Sequence, residues 1–225
     1  TVALAHDWLN GMRGGERCLD LICREFPQAE LYTLLFRPEL VSEAIRNRTV
    51  HESGLARWPL FREHYRWFLP LFPRAMESFR VAAGTDLVLS TSHCVAKGLV
   101  PPAGAKHLCY CFTPMRYAWS LQAEYFGNNR LKRAALEVML SRLRRWDREA
   151  SGRVDRFVAI SGHVQGGSGS ITGGSRRWCI RRWRRSISRR TGAGGTTAMT
   201  WWCRRWCRTS GWIWRCRHTR RRDFR

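Results

Sequence analysis

The last sixty residues contain no Leu, Val, Tyr, Pro, Asn, Gln, Lys or Glu, and this break at Gln165–Gly166 limits the fold more than any other feature. A segment without Leu or Val cannot pattern the apolar stripe of a helix or the buried face of a strand. Charge breaks at the same place. Residues 1–165 hold 23 Lys+Arg and 16 Asp+Glu, a balance of +7; residues 166–225 hold 17 Arg and one acid, Asp223, a balance of +16. Seven of the twelve Trp also fall in the last sixty positions. The formal charge of +23 is therefore an average over two unlike parts. Residues 1–165 read as one folded domain, and residues 166–225 as an Arg/Trp/Gly-rich tail with no stable fold.

Within the first part, short apolar runs stop at polar residues and alternate with helical patterns. TVALAH (Thr1–His6), ELYTLL (Glu30–Leu35), DLVLS (Asp86–Ser90), HLCYCF (His107–Phe112) and RFVAIS (Arg156–Ser161) read as buried strands. From Glu16, the residues Cys18, Leu19, Leu21, Ile22 and Phe26 recur at helical spacing, and Val41–Asn47 suggests a short helix. Leu131–Ala150 is a basic amphipathic helix whose apolar face is Leu131, Ala135, Leu136, Met139, Leu140, Leu143 and Trp146. Trp58–Phe79 is aromatic-rich and broken by Pro59, Pro70 and Pro73 into helical pieces. It reads as packed core, with lipid contact by HYRWFLPLFPRAM as the alternative. Strands alternating with helices imply an α/β fold with a parallel sheet covered on both faces. Ligands of such sheets bind beyond the carboxyl ends of the strands, which directs attention to the loops after His6, Ser90, Phe112 and Ser161.

The chain opens at Thr1 inside a strand-like run, which implies a start upstream, and no signal peptide or 18-residue apolar run is present. Five Cys lie in the first part (Cys18, Cys23, Cys94, Cys109 and Cys111), with no CxxC and no zinc-ligand spacing. They read as buried free thiols in a reducing compartment.

Three loops hold residues suited to chemistry. HDWLNGMRGGE places Gly14 and Gly15 between a strand and a helix, where backbone N–H groups and the helix N-terminus suit a diphosphate. The spacing is neither GxGxxG nor a P-loop, and a plain tight turn fits it as well. STSHCVAKG offers Ser92, His93 and Lys97 to a hydroxyl-rich or anionic ligand, or forms a capped polar turn. CFTPMRYAW offers Thr113, Arg116 and Tyr117, with Arg116 suited to a phosphate or carboxylate. No Ser–His–Asp order, paired-carboxylate motif or metal cluster stands out.

AHDWLNGMRGGERCLDLICREFPQAELYTLLFRP, HYRWFLPLFPRAMESF, DLVLSTSHCVAKG, CYCFTPMRYAW and RRWDREASGRVDRFVAIS together resemble the amino-terminal half of bacterial glycosyltransferase family 4 proteins, over nearly all of residues 1–165. The resemblance implies the GT-B fold, two Rossmann-like domains facing a cleft, with the acceptor held mostly by the first and the nucleotide sugar mostly by the second. It implies retaining transfer to a glycan or lipid-linked acceptor, with no cofactor or metal and the nucleotide sugar as substrate. Apart from the resemblance, the buried thiols point to a cytoplasmic protein, and HYRWFLPLFPRAM with the Arg-rich helix offers peripheral contact with anionic lipid at the inner membrane face. Gly14 and Gly15 would approach the donor diphosphate, Glu16 would open the following helix, and Ser92, His93 and Lys97 would face the cleft. Thr113, Pro114, Arg116 and Tyr117 match the family stretch HTPMRYAWD. Two positions depart from it: the family's His is Phe112, and its closing Asp is Ser120. Phe112 can neither donate nor accept a hydrogen bond, so no catalytic residue is assigned.

Where the resemblance expects the second domain, this chain has GGSGSITGGSRRWCIRRWRRSISRR. Its Trp, Gly and Arg are residues of G-rich codons. The last base of each codon, joined to the first two of the next, gives another reading. Gly167–Gly174 can decode as ERIYYGR, the run from Trp178 through Arg185 lies in AVVHPPVET, and Thr200–Cys216 can decode as LVVSALVPYKRVDLAV. Trp178–Cys179, Trp201–Trp202 and Trp202–Cys203 each force valine, and Trp212–Ile213 forces aspartate. The third string is similar to the opening strand and helix of that family's second domain. The tail thus reads as out-of-frame translation. The rival reading takes the tail at face value, as a basic segment binding single-stranded nucleic acid or an anionic membrane surface. It rests on composition alone and makes nucleic acid the weaker partner.

Overall fold

The computed structural model describes residues 1–119, 130–160, 164 and 178–180. The chain divides into two units, Thr1–Trp183 and Arg184–Arg225, and every described element belongs to the first. Seven strands form one sheet: β1 (Val2–His6), β2 (Glu30–Thr33), β3 (Val50–Glu52), β4 (Leu87–Ser92), β5 (Lys106–Cys111), β6 (Arg156–Ala159) and β7 (Trp178–Ile180). Their order is β3-β2-β1-β4-β5-β6-β7, and every pairing is parallel. The first six follow the doubly wound Rossmann order. The helices are α1 (Gly14–Glu25), α2 (Glu43–Arg46), α3 (Phe61–His64), α4 (Phe72–Glu77), α5 (Arg116–Trp119) and α6 (Arg130–Gly152). The fold is α/β and Rossmann-like, as the alternation of elements predicts.

Five of the strands coincide with the five apolar runs. β3 was not expected: its three residues, VHE, hold one apolar side chain and no usable period. Pairing places it, with Val50 in register with Leu31. β2 ends at Thr33 instead of Leu35, because the chain there turns to the loop after β1. Leu34 N donates to Asp7 O at 3.1 Å, Leu9 N to Leu35 O at 2.7 Å and Arg37 N to Leu9 O at 2.8 Å. β7 lies beyond the compositional break, in register with β6 through Phe157 and Trp178. Positions 166–177 and 181–225 lie outside the described residues, and with them most of the out-of-frame segment and its rival binding roles.

Side chains alternate across β1, so Ala3 and Ala5 face one layer and Leu4 and His6 the other. The first layer is an aromatic core. Phe61, Tyr65 and Phe72 of the proline-broken segment are buried, and Trp8 packs against Tyr65 and Phe72 with ring centroids 5.3 and 5.9 Å apart. The same segment leaves Trp58, Leu60, Trp67 and Leu71 exposed at 52, 56, 71 and 40%. Met139, Leu140, Leu143 and Trp146 of α6 pack onto this core as their spacing predicts; the side chains of Leu131, Ala135 and Leu136 lie outside the described residues. Gly98 permits that contact, since a Cβ there would overlap the Trp146 ring. Cys18, Cys23, Cys94, Cys109 and Cys111 are thiols outside any disulfide, and all but Cys18 are buried. Burial pushes the Cys94 and Cys109 thiols above their ordinary range, which suits packing and not nucleophilic chemistry.

Candidate functional site

β1 has β2 on one side and β4 on the other, so chain order reverses between β1 and β4. The carboxyl ends of strands at such a switch point splay apart into a crevice. Three motif-bearing segments meet there: the residues after β1 leading into α1, those after β4, and those after β5.

Asp7 organises this crevice. It follows β1 directly, is fully buried, and accepts four backbone N–H bonds from one turn of chain after β4. His93 N and Cys94 N donate to Oδ2 at 2.7 and 3.0 Å; Val95 N and Ala96 N donate to Oδ1 at 2.6 and 2.6 Å. The imidazole of His93 adds a fifth contact, Nδ1 to Oδ2 at 2.9 Å. Burial alone would raise the Asp7 pKa, but the neighbouring His93 charge and hydrogen bond outweigh it and hold the carboxyl well below its usual range. Asp7 is thus an ionised clamp that shapes the loop after β4.

His6 sits beside it, also fully buried, with Nδ1 2.7 Å from Thr91 Oγ1. Burial lowers its pKa to about 4, against the attraction of Asp7, so the ring is neutral. Neither residue stood out in the sequence. The available signal was a His-Asp pair at the end of a buried strand, where a charge needs partners from a neighbouring loop.

The residues expected from the sequence fare differently. Gly14 opens α1, and nothing lies within 4 Å of where its Cβ would be. Gly15 is crowded: a Cβ there would stand 3.2 Å from Phe112 Cε2 and 3.5 Å from His6 Cε1. Ser92 is buried at the end of β4, and its carbonyl accepts from Phe112 N at 2.9 Å. His93 remains 28% exposed and meets Trp8 edge-on, with centroids 4.5 Å apart. Thr113 is half-buried, with its hydroxyl donating to Pro114 O at 2.8 Å. Tyr117 is half-buried against the aromatic core, and Arg116 opens α5. Ser120 lies outside the described residues.

Lys97 departs from its expected place at the cleft. It is 4% exposed, and its Nζ pairs with Asp147 Oδ1 of α6 at 2.6 Å. Asp147 Oδ2 also accepts Trp119 Nε1 at 3.0 Å. Burial opposes the ammonium charge, but Asp147 holds the Lys97 pKa above its ordinary value. Lys97 therefore ties the turn after β4 to α5 and α6. The site brings together Gly14, Gly15, Ser92, His93, Phe112 and Thr113 around His6 and Asp7.

No family model and no curated protein matches the chain. Among solved structures, the chain is similar to the lipopolysaccharide outer core galactosyltransferase WaaB in its apo form, with a TM-score of 0.41 and 12% identity. The similarity covers 80% of this chain and 44% of that one, so the chain spans less than half of that protein's length.

Proposed function

We propose that the Rossmann-like domain is the acceptor-side half of a family 4 glycosyltransferase of GT-B architecture. It would move a sugar, with retention, from a nucleotide donor to a glycan or lipid-linked acceptor in the cytoplasm. The carrying observation is the convergence at the β1–β4 switch point of the segments that bear the family-like motifs. Gly14 is open to a diphosphate at the first turn of α1, where unpaired N–H groups and the helix dipole favour anions. In the complete enzyme, these amides would help stabilise the departing diphosphate, a term that often dominates such catalysis.

Titration of the full chain with UDP-glucose, UDP-galactose and GDP-mannose is expected to shift the Gly14 and Gly15 amide resonances, with dissociation constants of about 1 mM or weaker. Unchanged amides across that panel would sink the reading. The out-of-frame tail implies a polypeptide without a folded donor half, so little turnover is expected from it. Resequencing codons 160–225 tests this, and an unbroken frame lacking the family-like alternative refutes it.

The exposed Trp58, Leu60, Trp67 and Leu71 support peripheral contact with a membrane face. Among the described residues, no helix is long and apolar enough to cross a membrane. Replacing Trp58 and Trp67 by serine in the full chain should weaken its sedimentation with anionic vesicles; unchanged sedimentation removes the idea.

A further inference from the structure

An open pocket of about 350 Å³ lies between the loop after β1 and the segment that follows α3, a volume at the small end of the range for small-molecule sites. Asn10 and Arg13 line it from the loop, and Glu63 through Trp67 line it from the segment. Its frame is held from inside. Asn10 Nδ2 donates to Tyr65 Oη at 3.2 Å, and the buried Tyr65 ring packs against Trp8. Arg13, Glu63, His64, Arg66 and Trp67 are all exposed, so a solute reaches them directly from water. Arg13 also immediately precedes Gly14, the first residue of α1, which sets the pocket beside the switch-point crevice.

Three kinds of chemistry meet in this pocket. Trp67 is 71% exposed, and His64 stacks on it with centroids 4.3 Å apart and planes 9° from parallel. The stack braces a flat aromatic surface that stays open to solvent. Aromatic faces are electron-rich, and the C–H groups along one side of a sugar ring are electron-poor, so the two attract. Arg13 and Arg66 bring guanidinium groups, whose paired N–H donors match a carboxylate or a phosphate. Arg66 is held over the Tyr65 ring, 5.7 Å from its centre, and Arg13 forms no ion pair among the described residues. Glu63 supplies one carboxylate, 4.0 Å from His64 Nε2, which can accept a hydroxyl proton.

A phosphate alone would suit the arginines, gain nothing from Trp67 and meet the charge of Glu63. A neutral sugar would suit Trp67 and Glu63 and leave the arginines unmatched. A sugar that carries its own carboxylate or phosphate uses all three. Resting on the glycosyltransferase reading, we propose that this pocket receives an acidic sugar of the acceptor. Its C–H face lies on Trp67, its anion meets Arg13 and Arg66, and a hydroxyl donates to Glu63.

In the full chain, the Trp67 indole and Arg13 Nε resonances report on the pocket, and the Gly14 and Gly15 amides report on the crevice. Methyl β-glucuronide and glucose 6-phosphate carry the two forms of anion; methyl β-glucoside and inorganic phosphate each carry half of the proposed ligand. At least one acidic sugar should shift both pocket signals and bind about fivefold more tightly than methyl β-glucoside, and the stronger of the two identifies the anion. Arg13→Gln should abolish that fivefold advantage and leave the neutral glycoside unchanged, whereas Trp67→Ala should weaken every sugar. Both positions are exposed, so neither change threatens the fold. The proposal is overturned if methyl β-glucoside or inorganic phosphate matches both acidic sugars, if Arg13→Gln leaves acidic-sugar binding as it was, or if Trp67 responds to phosphatidylglycerol vesicles and to no sugar. A silent pocket, with Gly14 and Gly15 amides that move under nucleotide sugars, overturns this proposal alone. Silent amides with a responding pocket remove the glycosyltransferase reading and keep the acidic-sugar site, and silence of both removes both.

Discussion

Asp7→Ala is expected to lower folding stability by about 3–5 kcal/mol, as removal of one partner from a buried charge cluster does. The carboxylate is the common acceptor for His93 N, Cys94 N, Val95 N, Ala96 N and His93 Nδ1. Alanine would leave those donors buried without an acceptor, each costing about 1–3 kcal/mol before the loop relaxes. Relaxation is restricted, because Cys94, Val95 and Ala96 belong to the aromatic core. Domains of this size have about 5–15 kcal/mol in total, so the variant sits near the unfolding threshold. Asp7→Asn keeps the volume and one acceptor oxygen, but turns an NH2 group toward amide donors; it should lose about 2 kcal/mol. His93→Ala removes only the half-buried contact and should cost about 1 kcal/mol. Urea unfolding of the three variants gives the ranking. A loss below about 1 kcal/mol for Asp7→Ala would show that the loop after β4 holds its shape without the carboxylate.

That clamp also explains which parts of the molecule could be read in advance. β1, β2, β4, β5 and β6 are runs of apolar side chains buried on both faces, and such runs announce themselves without any knowledge of neighbours. β3 could not be read, because VHE forms a strand only through its register with Leu31–Thr33. Gly14 and Gly15 could be placed at the start of a helix from local pattern alone, and they open α1. His6 and Asp7 could not be read that way, since their roles depend on Thr91 and on amides 93–96, more than eighty residues away. Lys97 shows the converse error. A Lys in a polar turn reads as a ligand contact, yet Asp147, on a helix far along the chain, takes it into the core. Local pattern therefore locates the loops of the crevice, whereas pairing at a distance decides which side chains face it.

Acid should lower the stability of this domain over two pH ranges, and the first begins near neutrality. His6 and His107 are both fully buried, and burial lowers each from 6.5 to about 4. For His107, the charge of Asp155 opposes the shift and that of Arg153 adds to it, while Ser90 Oγ lies 2.9 Å from Nε2. Below pH 6.5, the unfolded chain binds protons that the folded chain refuses, so stability falls as pH drops toward 4. The full change is worth about 3 kcal/mol per histidine, and about 4 kcal/mol for the pair between pH 7.5 and 5. Asp7 acts lower. Its folded pKa is depressed, so its contribution is complete above the unfolded value of 3.8 and is lost as pH falls further. Urea midpoints at pH 7.5, 6.5, 5.5 and 5 should therefore decline before any carboxylate titrates in the unfolded chain. His107→Gln should remove about half of that decline, because glutamine keeps a polar partner for Ser90 but takes up no proton. Stability that is flat from pH 7.5 to 5 in the parent chain would mean that neither histidine is buried as a neutral ring.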